Sequence, residues 1–342
     1  MFMIVMHHFV VHALYKDALN LDVMGGGWDG HLMLTMNCFF YVGVNCFVLL
    51  SGWFSIRLKP RGIIKLWSFC FFYAVLCFAE MAVGSHLRGG GSVFTWENII
   101  GVLLPISHSD YWFILCYVAL MLLSPILNVV IDSFSQRKYL WVLLLLTVMS
   151  VWFGYMWKVY QMNDTGYTTL QFVWLYLIGG YLRRFYSSEW LSKNRWKCFW
   201  LYVGFSALWG LLTMIKACKI RVPLWHPFTY CNPVVMAAAI SFFLFVMSFS
   251  FKSRLVNWLA TSTLAVYLVQ EGVFRYYWLS EVSSGWSPVV KVLVLPLLSA
   301  VFMLLVLLLD KIRVLAMKPL WLLYDRYVDP RLKRIKWCEF KL

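Results

Sequence analysis

The segment MLTMNCFFYVGVNCFVLLSGWFSIRLKPRGIIK, residues 33–65, decides the class of fold. From Met33 to Ile56 it carries no charged side chain, and it then meets Arg57, Lys59, Arg61 and Lys65 in quick succession. A run of this length supplies the roughly 20 apolar residues that one helix needs to cross a bilayer. Cations gathered at one end mark the cytoplasmic side. The strict two-residue alternation of a barrel strand is absent, so the span reads as an α-helix.

The pattern repeats on both sides of this segment. Apolar stretches lie at 1–15, 63–84, 111–132, 139–157, 167–183, 197–215, 233–250, 257–278 and 288–309. Together with 33–56 they predict an all-α, polytopic membrane protein of about ten transmembrane helices. Composition agrees: 62% of the 342 residues are hydrophobic and 13% charged, whereas a soluble domain is roughly 45–50% apolar and about a quarter charged. One membrane domain is expected over 1–310, followed by a basic cytoplasmic tail over 311–342. Trp321, Leu322, Leu323 and Tyr324, set before alternating charges, predict an amphipathic interfacial helix in that tail.

The net charge of +15 is not a nucleic-acid footprint, because the cations sit in the gaps between apolar runs. Every even-numbered span exits into a basic loop: Arg57 to Lys65, Arg137 and Lys138, Arg183 to Lys197, Lys252 and Arg254, then Lys311 and Arg313. The opposite loops carry Asp17, Asp22, Asp29, Glu97, Asp110, Asp164 and Glu281, diluted by Lys216, Lys219 and Arg221. Both termini are therefore expected in the cytoplasm, with membrane lipids as the first partner of the basic face. The first run reaches only to Tyr15 before Lys16 and has no cation on its cytoplasmic side, so its helix is expected to be truncated at the N-terminus.

Two triple-glycine runs, Gly25–Gly27 and Gly89–Gly91, fall in outer loops and open no helix after a strand, so they read as loop chain and not as phosphate cradles. The nine cysteines form no C-x-x-C pair. Most lie in apolar runs as small buried residues. Cys218 and Cys231 share an outer loop and can pair in an oxidising compartment.

Ionisable groups inside a bilayer are costly and are functional candidates by default. They are few here: His7, His8 and His12, Glu80, and Glu271 with Arg275. His8 and His12 stand four residues apart on one helical face. A nearby third ligand and the acid of a metalloprotease motif are missing, so no metal is expected. A neutral imidazole in a polar cavity accepts and returns a proton near pH 7, which makes His8 a candidate general base. The alternative is a packed histidine bonded to a neighbouring group. Asn45 lies at mid-depth of the second span, level with His8, and with Ser51 is a candidate for orienting a polar substrate. Gly43, Asn45, Ser51 and Gly52 equally suit close helix packing. Trp112, Tyr117 and Glu271 complete the candidate substrate-binding set, their other readings being interfacial anchors and a Glu271–Arg275 pair.

Five segments taken in order, MIVMHHFVVHA (3–13), GVNCFVLLSGWF (43–54), YWFILCYVALMLLSPILN (111–128), YLIGGYLRRF (176–185) and TSTLAVYLVQEGVFR (261–275), resemble the acyltransferase-3 family of bacterial integral membrane O-acyltransferases. The resemblance runs through almost the whole chain to about residue 310 and implies a multi-pass protein of the bacterial inner membrane. It implies transfer of an acyl group, usually acetyl, from cytoplasmic acyl-CoA to a sugar hydroxyl of an exopolysaccharide, lipopolysaccharide or glycolipid precursor. The family's first-span motif, an arginine, ten residues and a catalytic histidine, places that histidine at His8 and the arginine just upstream of Met1. Relatives often carry Tyr-Leu-Ile-His in span nine, where this chain reads Tyr267-Leu268-Val269-Gln270. Gln270 can donate a hydrogen bond but cannot act as a base. The basic edge, Arg57, Lys59, Arg61, Arg183 and Arg184, would attract the phosphates of the acetyl-CoA donor. A transporter or flippase for a small anion or lipid-linked sugar is the alternative from another class. It would be favoured by inverted repeats, broken helices and paired intramembrane charges.

Overall fold

A computed structural model of the chain describes residues 1–15, 28–87, 89, 91–107, 111–218, 220, 225–273 and 277–334, and all regular structure among them is helical. In chain order the helices are α1 (Phe2–Phe9, continued by a π-helical turn Val10–Leu14), α2 (Trp28–Phe40), α3 (Gly43–Phe54), α4 (Pro60–Leu87) and α5 (Trp96–Leu103). Next come α6 (Trp112–Ser133), α7 (Gln136–Thr147, continued as π-helix Val148–Met156), α8 (Thr169–Phe185) and α9 (Ser188–Lys193). Then follow α10 (Arg195–Ala217), α11 (Pro233–Met247), α12 (Arg254–Ala260) and α13 (Thr263–Leu268, continued as π-helix Val269–Val273). The last are α14 (Tyr277–Val282), α15 (Pro288–Leu323, continued as π-helix Tyr324–Val328) and α16 (Asp329–Arg334).

Among the described residues six helical stretches are long and apolar enough to cross a membrane: Gly30–Phe54, Pro60–Leu87, Trp112–Ser133, Gln136–Met156, Arg195–Ala217 and Pro288–Leu332. Phe2–Leu14 and Pro233–Met247 are apolar but shorter. At 1.5 Å per residue a helix of the latter's length covers about 22 Å of a roughly 30 Å hydrocarbon layer. The 257–278 stretch, expected as one span, is interrupted after Ala260 and changes to π geometry at Val269. Large apolar side chains stay exposed along the long helices, among them Leu145, Leu211, Leu293, Leu297 and Leu309. A surface of this kind is stable against lipid tails, and the chain is a multi-pass membrane protein.

The chain divides into two compact units. The first comprises Met1–Ile56, Ile126–Lys252 and Tyr276–Ala300. Here α3 packs on α8, α10 on α2 and α11, and α1 against α2 and α3. The α3–α8 crossing is set by glycine: a Cβ on Gly52 would lie 2.0 Å from the Tyr176 carbonyl oxygen, and one on Gly179 would lie 2.2 Å from that of Leu49. Small residues let the two backbones touch, and this substitutes for hydrophobic burial, which lipid offers no reason to seek. Polar clips join the helices elsewhere. Tyr139 donates to the Leu177 carbonyl at 2.7 Å, and Tyr176 to Asn128 Oδ1 at 2.6 Å. Helix starts follow ordinary capping rules: Thr168 accepts from the Gln171 amide, and Asn232 from the Val234 amide with Pro233 as the first helical residue.

The second unit comprises Arg57–Pro125, Ser253–Arg275 and Val301–Leu342. Its centre is ionic. Arg313 meets Asp310 through two bonds, Nε to Oδ1 at 2.6 Å and Nη2 to Oδ2 at 3.0 Å, with both residues buried. Tyr73 of α4 donates to Asp310 Oδ1 at 2.8 Å, and the Arg313 guanidinium lies 3.6 Å above the Phe69 ring. Lys311 reaches the Trp258 carbonyl, Thr261 Oγ1 and Ser262 Oγ at 2.7, 3.0 and 2.8 Å. The helix α15 runs unbroken past residue 310 to Leu323. Asp310 and Arg313 neutralise each other, while Lys311 keeps its charge among neutral partners. Farther along, Arg61 pairs with Asp325 at 2.9 Å and lies about 6 Å from the rings of Trp321 and Tyr324. The basic tail residues after Arg334, Arg275 in the ninth apolar run, and Gly25–Gly27 lie outside the described residues.

Candidate functional site

In the first unit the histidines of α1 form a row. His7 and His8 are 6% and 8% exposed, while His12, beyond the change to π geometry, reaches the surface. Ring centroids are 5.5 Å apart for His7 and His8 and again for His8 and His12, the latter pair edge to face. The register change is carried by the bond from the Tyr15 amide to the Val10 carbonyl at 2.9 Å. Such π turns are frequent at functional sites. His7 Nδ1 lies 2.6 Å from Asn37 Oδ1 of α2. A carbonyl oxygen can only accept, so Nδ1 carries the hydrogen of this bond.

The same ring anchors an aromatic stack that leads away from the helix. His7 meets the edge of Tyr41 at 5.1 Å, and Tyr41 lies flat on Tyr230 at 4.5 Å with 9° between planes. The Tyr230 carbonyl accepts two amide hydrogen bonds, from Asn45 Nδ2 at 3.0 Å and from Gln171 Nε2 at 3.1 Å. Gln171 in turn accepts from Asn163, whose Oδ1 accepts from Thr168. Asn45 therefore holds the 226–232 loop, and it reaches the histidines through Tyr230 and Tyr41. Its Oδ1 is buried with no hydrogen-bond partner among the described residues. Ser51 donates to the Phe47 carbonyl of its own helix at 3.1 Å.

The 226–232 loop has its own titrating group. The His226 ring lies 5.5 Å from that of Tyr155, and the Tyr155 hydroxyl accepts from the His226 amide at 3.1 Å. Burial, then the neighbouring Lys158 and Lys216, lower the His226 pKa to about 4. Cys231 is buried and donates to the Asn163 carbonyl, whereas Cys218 is exposed; both are free thiols, so the disulfide open to them from sequence is not formed.

Trp112, Tyr117 and Glu271 belong to the second unit. Trp112 contacts Phe113 at 5.9 Å, Phe113 stacks on Tyr117 at 6.0 Å and meets Tyr267 at 5.6 Å, and Tyr267 lies 6.2 Å from Tyr111. Glu271 is exposed in the π segment. Gln270 beside it is 3% exposed. Of the basic candidates, Arg183 donates to the Trp53 carbonyl at 2.8 Å and Arg184 to that of Ile131, so both close helix ends. Arg61 is engaged by Asp325. Arg57, Lys59 and Lys65 are exposed. No group of three or more His, Cys, Asp or Glu among the described residues is placed to hold a metal ion.

Asn37, Gln171 and the Asp310–Arg313 pair escaped the sequence reading. An amide in an apolar run is a visible signal, but nothing local says which imidazole or carbonyl it will meet. An i,i+3 Asp–Arg pair could have been read as self-neutralising.

A family model described as an acyltransferase domain matches residues 1–310, and the chain belongs to the acyltransferase-3 family. No curated protein and no solved structure matches it.

Proposed function

We propose that this protein is an O-acyltransferase of the bacterial inner membrane, with both termini cytoplasmic, that moves an acetyl group from acetyl-CoA to a sugar hydroxyl of an envelope glycan or glycolipid precursor. The observation that carries the proposal is the buried His7–His8 pair on α1, at the start of a π turn, within a chain of the acyltransferase-3 family. His8 takes the proton of the acceptor hydroxyl as its oxygen attacks the thioester carbonyl. The carbon–sulfur bond then breaks, and the imidazolium returns that proton to the departing thiolate, so protons balance within one cycle. His7, oriented by Asn37, packs against His8 and restricts its ring. Arg57, Lys59 and Lys65 are exposed cations suited to the phosphates of coenzyme A. Arg183 and Arg184 contribute field, although each already holds a carbonyl.

The test is transfer of radiolabelled acetyl from acetyl-CoA into envelope glycan by membranes carrying the wild-type chain or His8→Ala. General-base assistance contributes roughly 10²–10⁴-fold, so the variant should lose label by about that factor while keeping its helical circular dichroism and melting temperature. Wild-type membranes that transfer no label with folded protein and glycan present would sink the acyltransferase reading and favour transport of a lipid-linked sugar.

A further inference from the structure

Within the first unit, α3 and α11 leave a slot between them beside the first turn of α1. The two helices run side by side: the Cys46 thiol donates to the Ala239 carbonyl at 3.5 Å, and the Trp53 ring meets that of Phe243 at 5.6 Å. Gly43, Cys46 and Leu50 line the slot from α3, and Phe243, Val246 and Met247 from α11, around a cavity of about 220 Å³. Met3 closes its Gly43 end, where a Cβ on that glycine would lie 3.5 Å from the Met3 Cβ. From Gly43 to Leu50 the slot follows α3 for about 10 Å. Leu50 and Val246, 38% and 46% exposed, open it to the lipid-facing surface. The other end carries charge. Arg183 donates to the Trp53 carbonyl at 2.8 Å, just past Leu50. Arg195 donates to Ser248 Oγ and to the Ser248 carbonyl at 3.0 and 2.9 Å, directly after Met247, and lies 4.3 Å from the centre of the Phe249 ring. Each guanidinium has more N–H donors than these bonds use.

We propose that this slot binds an anionic phospholipid, with one acyl chain between α3 and α11 and the phosphate at Arg195 and Arg183. Size and lining select the chain. An apolar cavity of about 150 Å³ already suffices for benzene, and methionine side chains adapt to a flexible hydrocarbon. Among the side chains that line the slot only the Cys46 thiol can donate a hydrogen bond, and it is turned to the Ala239 carbonyl. The amides of a coenzyme A arm would therefore enter without partners, at a cost that an alkyl chain does not meet. A helix of a second copy, about 10 Å across, is too wide. Charge selects the headgroup, because two guanidiniums at one end of a hydrocarbon slot suit a phosphate. The occupant also braces α1. Ile4 packs so closely over Gly43 that a Cβ there would lie 2.8 Å from its Cγ1, and Met3 lines the slot itself. A lipid chain in place thus supports the first turn of the helix that carries His8.

The experiment uses the full chain purified in a mild detergent. Native mass spectrometry counts bound lipid, and melting is followed as phosphatidylglycerol or phosphatidylcholine is added, with coenzyme A alone in a separate arm. Wild-type protein should retain phosphatidylglycerol and be stabilised by it at lower concentration than by phosphatidylcholine. Val246→Trp, which fills the slot, should lose the bound lipid and its stabilisation; Leu50→Phe serves should the larger ring prevent folding. Arg195→Gln should need about fivefold more phosphatidylglycerol for the same shift, the factor that one cation contributes at an anionic membrane surface. Its response to phosphatidylcholine should not change, and Arg195→Lys should recover most of the loss. Equal lipid stabilisation of wild-type and slot-filled protein would assign the lipid to the general hydrocarbon belt and overturn the proposal, as would an equal response of the wild-type chain to the two lipids. Coenzyme A stabilisation that Val246→Trp abolishes would give the slot to the acyl donor, and a dimer that the same substitution splits would give it to a second copy. Either result overturns the lipid site.

Discussion

At the scale of single residues, the buried polar side chains are held by partners remote in sequence. His7 depends on Asn37, thirty positions away, and Asn45 on the Tyr230 carbonyl, 185 away. His226 yields a test that needs no substrate. Its pKa is about 4 in the folded chain against an ordinary value of 6.5, so below pH 6.5 the unfolded chain binds the extra proton first. Its contribution to stability is unaffected above pH 6.5 and is lost as the pH falls from there towards 4. The melting temperature should therefore drop between pH 7 and pH 5, and the slope should flatten in His226→Gln. Equal slopes for the two proteins would show that another group carries the dependence. This imidazole was not singled out from sequence, because the neighbours that define its setting, Tyr155, Lys158 and Lys216, come from other parts of the chain.

Among elements, the α3–α8 crossing is the most exacting. A methyl group at Gly52 cannot be accommodated 2.0 Å from the Tyr176 carbonyl, so the backbones must separate and Asn128, Tyr176 and Arg183 lose their alignment. Gly52→Ala should cost at least the 1–3 kcal/mol or so typical of overpacking, read as earlier unfolding in a denaturing detergent titration. A neutral result would show that the crossing slides freely. Gly43 and Gly52 of GVNCFVLLSGWF were legible as packing residues, since small side chains in apolar runs serve close helix contact, whereas Gly179 of YLIGGYLRRF was not singled out. The π turns at Val10, Val148, Val269 and Tyr324 were not. A single extra residue per turn leaves the apolar character of a run unchanged, and periodicity analysis passes over it.

For the molecule as a whole, the candidate residues divide between the two units. His8, Asn45, Ser51, Arg183 and Arg184 belong to the first, and Arg57, Lys59, Arg61, Trp112, Tyr117 and Glu271 to the second. The second unit gathers segments near residues 70, 260 and 310 around the Asp310–Arg313 pair. Arg313→Met would leave Asp310 as an uncompensated buried charge and should destabilise the protein by about 3–5 kcal/mol, with partial recovery in Asp310→Asn combined with Arg313→Met. Equal melting of wild-type and single-variant protein would remove the pair from the list of what holds this unit together.

By itself the sequence determined that the chain is helical and lives in a membrane, because apolar length and charge position are additive properties that need no contacts to be read. It also singled out the α1 histidines, since an ionisable group in an apolar run is conspicuous before anything is folded. Which polar groups are paired was decided only by tertiary structure. A hydrogen bond is a matter of a few tenths of an ångström between atoms that the chain brings together from far apart. His7 acquired Asn37, three of the arginines were taken up by carbonyls or by Asp325, Arg313 entered a buried pair, and Gln270 was buried with neither end of its amide met among the described residues.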